Sequence, residues 1–460
     1  MRLQRDGLKA LVDWSRRTNR KPVVVRGARQ VGKSFLVRML AEAQFDDMVE
    51  VNFERDEQAR ELFRSRSPRE IVELLEARTG VRIVPGRTLL FLDEIQAAPH
   101  AFAALRYFAE ELPALHVVAA GSLLEFVLTD QTFSVPVGRI EYLHLGPMTF
   151  EEYLNATDKA GLLRVLREWA PPAELNPVLH ADLMDLLRQY LIVGGMPEAV
   201  SAFVDTGSYV ESDRVKQSVL LTYRDDFAKY GPRASHRRLE KLLLRIPQLV
   251  GRKFVYASVD REERSRDLSR ALELLCLARV AHQVRHSSAN AIPLGAEAQD
   301  RVFKVLFMDV GLVCTVLGLN AAELALTSDP TLVNEGALAE QFVGQHLLYG
   351  RPLYEPPDLH CWIREKHNAN AEVDYVLSFG ETIVPVEVKA GTTGSLKSLH
   401  VFLNEKRRSF ALRLNSDLPS LVQGRVATAA GPTSFQLLSL PLYMVGQVRR
   451  LGREVLATRD

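Results

Sequence analysis

The segment Val23–Leu40, VVVRGARQVGKSFLVRML, decides the fold of the N-terminal region. Its three leading valines are β-branched and apolar, which is typical of a buried parallel strand. The next eight residues, Gly27–Ser34, fit the pattern G-x-x-x-x-G-K-[ST] at every fixed position. After them, apolar residues recur at the spacing of a helix. A strand, a glycine loop and a helix in this order predict a site that binds the phosphates of a nucleotide.

The glycine loop gives its residues distinct expected roles. Gly27 and Gly32 allow the backbone to turn its N–H groups toward phosphate oxygens. Lys33 supplies a positive charge for the β- and γ-phosphates, and the Ser34 hydroxyl is a candidate ligand of Mg²⁺. We therefore expect ATP and Mg²⁺ as cofactors. The candidate nucleotide contacts are Gly27, Ala28, Arg29, Gln30, Val31, Gly32, Lys33, Ser34 and Phe35.

Two further predicted strands end in polar residues suited to nucleotide hydrolysis. The apolar run Leu89–Leu92 is followed by Asp93 and Glu94. An acid at the end of a neighbouring strand can hold Mg²⁺ through water, and the next acid can polarise the attacking water. Ser122 ends another buried strand, LHVVAAGS, where its hydroxyl could contact the γ-phosphate. Together with Lys33, these residues predict an ATPase.

Arg139, in VGRIEYLHL, is a candidate arginine finger. Such an arginine stabilises transition-state charge in the site of a neighbouring subunit. The alternative is a surface arginine that precedes a strand. The finger predicts a homo-oligomer, and a ring such as a hexamer.

Composition restricts the class of protein. The chain has 460 residues, 47% of them hydrophobic and 25% charged, which is typical of a globular protein with about three domains. The chain has 58 basic and 57 acidic residues, so its formal net charge is only +1. DNA binding would therefore need local basic patches. Three scattered cysteines argue against a disulfide framework or a zinc site. We find no apolar run long enough to span a membrane, and the N-terminus predicts an amphipathic helix. We therefore expect a cytoplasmic protein without membrane contact.

Several motifs resemble the bacterial and archaeal AAA+ ATPases whose C-terminal half is a domain of unknown function. They are GARQVGKS, LFLDEIQ, AAGS, VGRIEYLHLGPMTFEEYL, GGMPEAV, LFMDVGL, NEGALAEQFV, AEVDYVL and IVPVEVKAG. The resemblance implies an α/β fold with a parallel P-loop AAA+ sheet, a helical lid, a winged-helix-like middle and a restriction-endonuclease-like α/β domain. The predicted pattern of strands and helices places boundaries near 150 and 325. With the resemblance, residues 1–149 are expected to form the core, 150–232 the lid, 233–325 the middle and 326–460 the nuclease-like end.

The middle region contains a concentrated run of basic residues. Seven lysines and arginines lie between Arg233 and Lys253, against Glu240 as the one acidic residue. Helical spacing places several of them on one face, which predicts a track for a phosphate backbone, and the helix after them fits a recognition helix. The alternative is ordinary solvated surface. The candidate DNA contacts are Arg237, Arg238, Lys241 and Arg245.

The C-terminal region contains a second candidate site. Asp374 lies in AEVDYVL, and Glu387 and Lys389 lie in IVPVEVKAG. Two carboxylates brought together by a hairpin could bind Mg²⁺, with Lys389 steadying the developing charge and Glu340 adding a third ligand. This set resembles the PD-(D/E)xK nuclease core, although Val373 stands where that motif has proline. The alternative is an inactive nuclease fold kept as a DNA platform or an oligomer contact.

These features favour an AAA+ ATPase that couples ATP hydrolysis to remodelling of DNA or translocation along it, on branched DNA such as Holliday junctions, with a nuclease-like C-terminal domain. The alternative function is an ATP-dependent signalling or toxin–antitoxin-like switch. Such a switch would act on protein partners, and its nuclease-like tail would be inert.

Overall fold

The computed structural model describes residues 3–122, 136, 138–227, 233–319, 335–364, 371–391, 395–428 and 431–458. The predicted boundaries at 232 and 325 fall outside these residues. The helices are α1 (Gly7–Ser15), α2 (Lys33–Gln44), α3 (Ala59–Leu62), α4 (Pro68–Thr79), α5 (Pro99–Glu111), α6 (Phe150–Ala156), α7 (Ala160–Glu168), α8 (Pro177–Val193), α9 (Pro197–Thr206), α10 (Tyr209–Asp226), α11 (Arg233–Leu249), α12 (Ser265–Leu277), α13 (Val310–Val316), α14 (Glu335–Tyr349), α15 (Lys397–Glu405) and α16 (Val448–Ala457). The strands are β1 (Val23–Arg26), β2 (Asp47–Asn52), β3 (Thr88–Asp93), β4 (His116–Gly121), β5 (Glu141–His144), β6 (Ala281–Ser287), β7 (Ala298–Phe307), β8 (His360–Ile363), β9 (Glu372–Phe379), β10 (Thr382–Val388), β11 (Phe410–Asn415), β12 (Ser420–Thr428) and β13 (Gly431–Pro441).

The N-terminal region forms a five-stranded sheet in the order β2–β3–β4–β1–β5. Every neighbouring pair is parallel, so the carboxyl ends of all five strands meet at one edge. Strands β3 and β4 are buried along their whole length, as their continuous apolar sequences predict. This confirms the predicted parallel sheet, and it places the end of β4 between the ends of β1 and β3.

Helices α6 to α10 follow the sheet, as predicted for the lid. Thr149 and Glu152 form a capping box at the start of α6. At the end of α8, the Gly195 N–H donates to Asp309 Oδ2 at 2.6 Å. A Cβ atom on Gly194 would lie 2.8 Å from the Cα atom of Gly311. The motifs GGMPEAV and LFMDVGL therefore contact each other, and their glycines allow the lid to pack closely on α13.

The middle region has the predicted order of helix, helix and hairpin in α11, α12 and β6–β7. The hairpin does not stand apart as a wing, however. Strand β6 pairs with β8 in parallel, so β6 and β7 form one end of an eight-stranded sheet. That sheet has the order β12–β13–β11–β10–β9–β8–β6–β7. The predicted boundary at 325 therefore separates strands that share one sheet.

Helix α14 joins the two halves of the chain. It packs on β7 and β10, and one continuous apolar core runs from the N-terminal sheet through the lid to the C-terminal strands. The Phe150 N–H donates to His346 Nε2 at 2.8 Å, and the His144 N–H donates to the Leu353 carbonyl at 2.7 Å. The two sheets thus belong to one packed body. Within the described ranges, no helix combines the length and the apolar character that crossing a membrane requires.

Candidate active site and nucleic-acid interface

The predicted phosphate loop lies between β1 and α2. Gly32 precedes the helix with a φ of 88°, and Gln30 has a φ of 63°. Positive φ values of this kind turn successive N–H groups toward one side, which favours anion binding. Gly27 is required for space, because a Cβ atom there would lie 2.2 Å from the Leu145 carbonyl oxygen. The local sequence therefore permits both the turn and the close approach of the neighbouring chain.

Lys33 is buried at the start of α2. Its Nζ donates to the carbonyl oxygens of Gly27 at 3.1 Å and Ala28 at 2.8 Å. Burial lowers the pKa of Lys33 to about 8, and the negative charges of Glu94 and Asp93 oppose that shift. A bound phosphate would add negative charge beside the ammonium and stabilise its protonated form. These residues therefore fit the phosphates of a nucleotide.

Ser34 and Asp93 meet at the sheet edge, as predicted. The Ser34 hydroxyl lies 3.1 Å and 3.0 Å from the two carboxylate oxygens of Asp93, and Asn52 Nδ2 donates to Asp93 Oδ2 at 3.1 Å. Burial raises the pKa of Asp93, and the neighbouring charge of Glu94 adds to the shift. A hydroxyl and a carboxylate are the oxygen donors that Mg²⁺ uses beside bound phosphates. The pair fits Mg²⁺, which would neutralise phosphate charge when bound.

Glu94 has a defined orientation beside this pair. Its backbone is left-handed, with a φ of 51°. Gln96 Nε2 donates to Glu94 Oε2 at 2.5 Å, and the Ser122 hydroxyl donates to the same oxygen at 3.4 Å. Ser122 reaches Glu94 because β4 lies next to β3. The strand order thus brings Lys33, Ser34, Asp93, Glu94 and Ser122 to one edge.

Arg5 is a site residue that the sequence analysis missed. Its side chain is buried and donates to the Val31 carbonyl at 2.6 Å, the Gly146 carbonyl at 2.8 Å and Glu152 Oε1 at 3.0 Å. One guanidinium therefore fixes the phosphate loop, the segment after β5 and the first lid helix together. A lone arginine near the N-terminus carries no local signal of this role.

Arg29 connects the phosphate loop to α10. Its guanidinium forms an ion pair with Asp226 and lies 3.6 Å from Glu54. The Tyr223 hydroxyl donates to the Arg29 carbonyl at 2.7 Å. The end of α10 therefore contacts the loop directly, and α10 leads along the chain to α11.

Arg139 lies at the surface before β5. Its Nε donates to Glu110 Oε1 at 2.8 Å, and its side chain is 50% exposed. Its side-chain partner is thus on α5 and not on the phosphate loop. Its role as a finger stays a prediction.

Two of the four predicted DNA contacts are paired within the protein. Arg238 Nε lies 2.7 Å from Glu263, and Lys241 forms ion pairs with Asp260 and Glu263. The predicted basic face of α11 is therefore partly neutralised by the segment that follows it, a contact that a single-helix projection does not reveal. Arg245 donates to the Ser258 carbonyl at 3.1 Å, and Arg237 is exposed.

A second group of exposed basic residues lies around the start of α12. Arg264, Arg266 and Arg270 are exposed, and they form no ion pair with any residue that the structure describes. Arg266 and Arg270 are four residues apart and therefore share one helix face. The sequence analysis named this helix as a recognition helix but did not select these side chains.

The predicted tail residues Glu340, Asp374, Glu387 and Lys389 come together on α14, β9 and β10. Asp374 Oδ2 accepts the Val388 N–H at 2.9 Å, and Lys389 Nζ donates to Glu387 Oε1 at 2.6 Å. Burial raises the pKa of Glu387 to about 7, with the charge of Asp374 as the second cause. In the part of the chain that the structure describes, no three histidine, cysteine or acidic side chains are placed to hold a metal ion. Lys304, which the sequence analysis did not select, lies among the carboxylates.

Family comparisons divide the chain into three matched parts. Residues 19–154 match the family described as AAA domain. The match supports a P-loop AAA ATPase for this part, in agreement with its glycine loop and parallel sheet. Residues 184–323 and 335–421 match two domains of unknown function, DUF8612 and DUF4143. A comparison with curated protein sequences finds no match.

Solved structures with similar folds are remote from this chain. The Walker-type ATPase of Pyrococcus abyssi has 14% identity and a TM-score of 0.43, covering 68% of this chain and 96% of its own. The ORC2 protein of Aeropyrum pernix has 14% identity and a TM-score of 0.32, covering 71% and 96%. The RuvB Holliday junction branch migration motor of Thermotoga maritima has 16% identity and a TM-score of 0.27, covering 61% and 90%. Likenesses this low carry no argument about what this chain binds.

Proposed function

We propose that this protein hydrolyses ATP at its AAA domain and uses the reaction to move or remodel DNA. The orientation of the Glu94 side chain is the observation that best supports ATP hydrolysis. Its carboxylate is oriented by Gln96 and Ser122, next to the Ser34–Asp93 pair. A base held beside the metal and phosphate residues can take a proton from the attacking water.

Other residues of the site have complementary roles. Lys33 and the loop N–H groups would bind the phosphates, and Ser34 and Asp93 would hold Mg²⁺. Arg139 would stabilise transition-state charge in a neighbouring subunit, which makes turnover depend on a homo-oligomer. Its exposure and its position outside the site of its own chain support that role.

The basic residues around the start of α12 support DNA as the partner. Arg264, Arg266 and Arg270 are exposed, whereas Arg238 and Lys241 are engaged with acids. Contacts to phosphates would give binding that depends strongly on salt and little on sequence. The contact between Arg29 and Asp226 provides a physical connection from the phosphate loop to α10, which precedes these helices.

The experiment measures ATPase activity with single-stranded DNA, duplex DNA and a four-way junction. We expect DNA to raise the rate. Changing Arg264, Arg266 and Arg270 together to Gln should flatten the log–log salt dependence of DNA binding by about two to three units, since each phosphate contact contributes about 0.9.

The matched control changes three exposed arginines of the AAA domain, Arg66, Arg69 and Arg82, to Gln. This variant loses the same three positive charges as the α12 variant, but the slope of its salt dependence of DNA binding should stay unchanged. If DNA has no effect on turnover and both triple variants bind DNA alike, the partner is not DNA. The ATP-dependent switch on protein partners then becomes the better account.

A further inference from the structure

Six charged side chains form a cluster between α14 and the C-terminal sheet, which we call the tail cluster. Four are carboxylates and two are ammonium groups. The members are Lys304, Glu340, Glu372, Asp374, Glu387 and Lys389. They come from β7, α14, β9 and the end of β10, so the chain brings together residues from the middle region and the tail.

Lys304 lies at the centre of three of these carboxylates. Its side chain is only 2% exposed, and its Nζ lies 3.0 Å from Glu340 Oε2 and 3.3 Å from Asp374 Oδ1. It also forms an ion pair with Glu372. Each acid is held on a regular element, and the Tyr375 hydroxyl fixes α14 by donating to the Glu340 carbonyl at 2.7 Å. Three acidic side chains thus surround one cation.

The position of Lys304 is set by its strand. Lys304 pairs with Val284 across the β6–β7 hairpin, and its backbone forms a bridge to Lys253 after α11. The Phe254 N–H donates to the Phe303 carbonyl at 2.9 Å, beside the lysine. The ammonium group of Lys304 is therefore held in place by a regular strand, β7, and not by a loop.

Positive charge in the cluster does not match its negative charge. Two lysines face four carboxylates, and Glu387 Oε2 is buried without a hydrogen-bond partner among the described residues. A buried carboxylate oxygen without a partner is costly, and a cation is the group that satisfies it best. Oxygen ligands from several carboxylates are the set that Mg²⁺ and Mn²⁺ prefer.

We propose that the tail cluster is a latent divalent-cation site and that the ammonium of Lys304 occupies the cation position. In the folded protein, Lys304 excludes the metal by charge and by volume. Removing that ammonium leaves the carboxylates of Glu340, Glu372 and Asp374 around a shared space, with Glu387 beside it. This inference concerns the tail alone, and it does not depend on the proposed DNA-dependent ATPase.

The experiment measures Mn²⁺ binding by electron paramagnetic resonance and titration calorimetry. The full chain is used without nucleotide and with Asp93→Asn, so that the phosphate site does not contribute. With Lys304 present we expect no Mn²⁺ binding that depends on Asp374. Lys304→Met should gain one Mn²⁺ site, and adding Asp374→Asn should weaken that site by about 10- to 100-fold.

Lys389→Met is the matched control, because Lys389 donates to Glu387 at the edge of the cluster and is partly exposed. It should gain no site. A second variant, Lys304→Gln with Glu372→Gln, loses one charge of each sign and should also bind Mn²⁺ if Lys304→Met does not fold. The proposal is overturned if the Lys304 protein itself binds one Mn²⁺ in a manner that Asp374→Asn abolishes. It is equally overturned if neither Lys304 variant binds the metal, or if Lys389→Met gains the same site.

Discussion

Lys33 at the phosphate loop and Lys304 in the tail cluster are both buried near carboxylates, but their hydrogen-bond partners differ. Lys33 donates to backbone carbonyls, while Asp93 is engaged with the Ser34 hydroxyl. Lys304 donates to the carboxylates themselves. The first arrangement keeps both the ammonium and the acids available to a ligand and its metal. In the second, an ammonium group of the protein itself occupies the position among the carboxylates that a metal ion would need.

The pKa values of the two lysines reflect the same difference. Burial lowers the pKa of Lys33 to about 8, and the nearby acids only partly oppose it. Burial also acts to lower the pKa of Lys304, but the charges of Glu340 and Asp374 outweigh it and raise that pKa well above its ordinary value. The acids near Lys33 therefore compensate its burial only in part, whereas the acids around Lys304 stabilise its charged form.

The largest expected effect is on ATP hydrolysis. Glu94→Gln removes the base but keeps the shape of the side chain, so turnover should fall by about 10²- to 10⁴-fold while ATP still binds. Lys33→Ala should lose turnover and also weaken ATP binding, because the charge that faces the phosphates is gone. Steady-state hydrolysis and equilibrium nucleotide binding measure the two effects separately.

Glu111→Gln, an exposed change on α5, is the control for these variants and should hydrolyse ATP normally. A wild-type rate for Glu94→Gln would remove Glu94 from the role of base. The proposed difference between a phosphate site that is available to a ligand and a tail cluster that Lys304 occupies would then lose its main support.

A smaller effect concerns stability. Lys304→Met leaves three acids without their central cation, and breaking a buried pair of this kind costs about 3–5 kcal/mol. Lys33→Met loses hydrogen bonds to carbonyls only, each of which contributes about 1 kcal/mol, and it also relieves the burial of a charge. Urea unfolding followed by circular dichroism should therefore show a much larger loss for Lys304→Met.

With Asp93→Asn present in both proteins, Mn²⁺ should restore part of the stability lost in Lys304→Met and none of that lost in Lys33→Met, since binding to the folded state alone stabilises it. Equal losses in the two variants would show that the carboxylates around Lys304 do not depend on its charge. The distinction between the two lysines would then fail.

The arrangement of the residues in the candidate phosphate site could be predicted because its sequence signal is local. Gly27–Ser34 is one contiguous motif, and Asp93, Glu94 and Ser122 each follow an apolar run that predicts a buried strand. Parallel strands bring such ends to a shared edge, so a pattern along the chain becomes proximity in space. The five-stranded sheet confirms that expectation.

Arg5 and Lys304 could not be predicted because their partners are distant in sequence. Arg5 binds Glu152, which is 147 residues away, and Lys304 binds Asp374, which is 70 residues away. A single buried lysine in a strand has no distinguishing periodicity. The basic face of α11 was misleading for a related reason, because Glu263 neutralises Arg238 from outside the helix.

The smallest expected effect tests the connection between the two regions, through His346 on α14. Its Nε2 accepts the Phe150 N–H at 2.8 Å, so the ring proton must lie on Nδ1, which is 2.7 Å from the Phe342 carbonyl. Protonating Nε2 would place two donors against each other at the start of the lid. Burial lowers the pKa of His346 to about 4. The folded state therefore favours the neutral form of the His346 ring.

The sign of the pH dependence follows from that shift. In the unfolded chain the pKa of a histidine is about 6.5, so the unfolded state takes up the proton first as the pH falls. The contribution of His346 to stability is complete above pH 6.5 and is lost between pH 6.5 and about 4, at about 1.4 kcal/mol per pH unit.

His346→Leu should lower stability at pH 7.5 but reduce the slope of stability against pH by about one proton in this window. Buried His144 and His282, whose pKa values burial lowers to about 3, titrate equally in both proteins, so the difference isolates His346. If both proteins lose stability with the same slope, His346 does not join α14 to the lid, and the phosphate site and the tail cluster must be treated as independent parts of the chain.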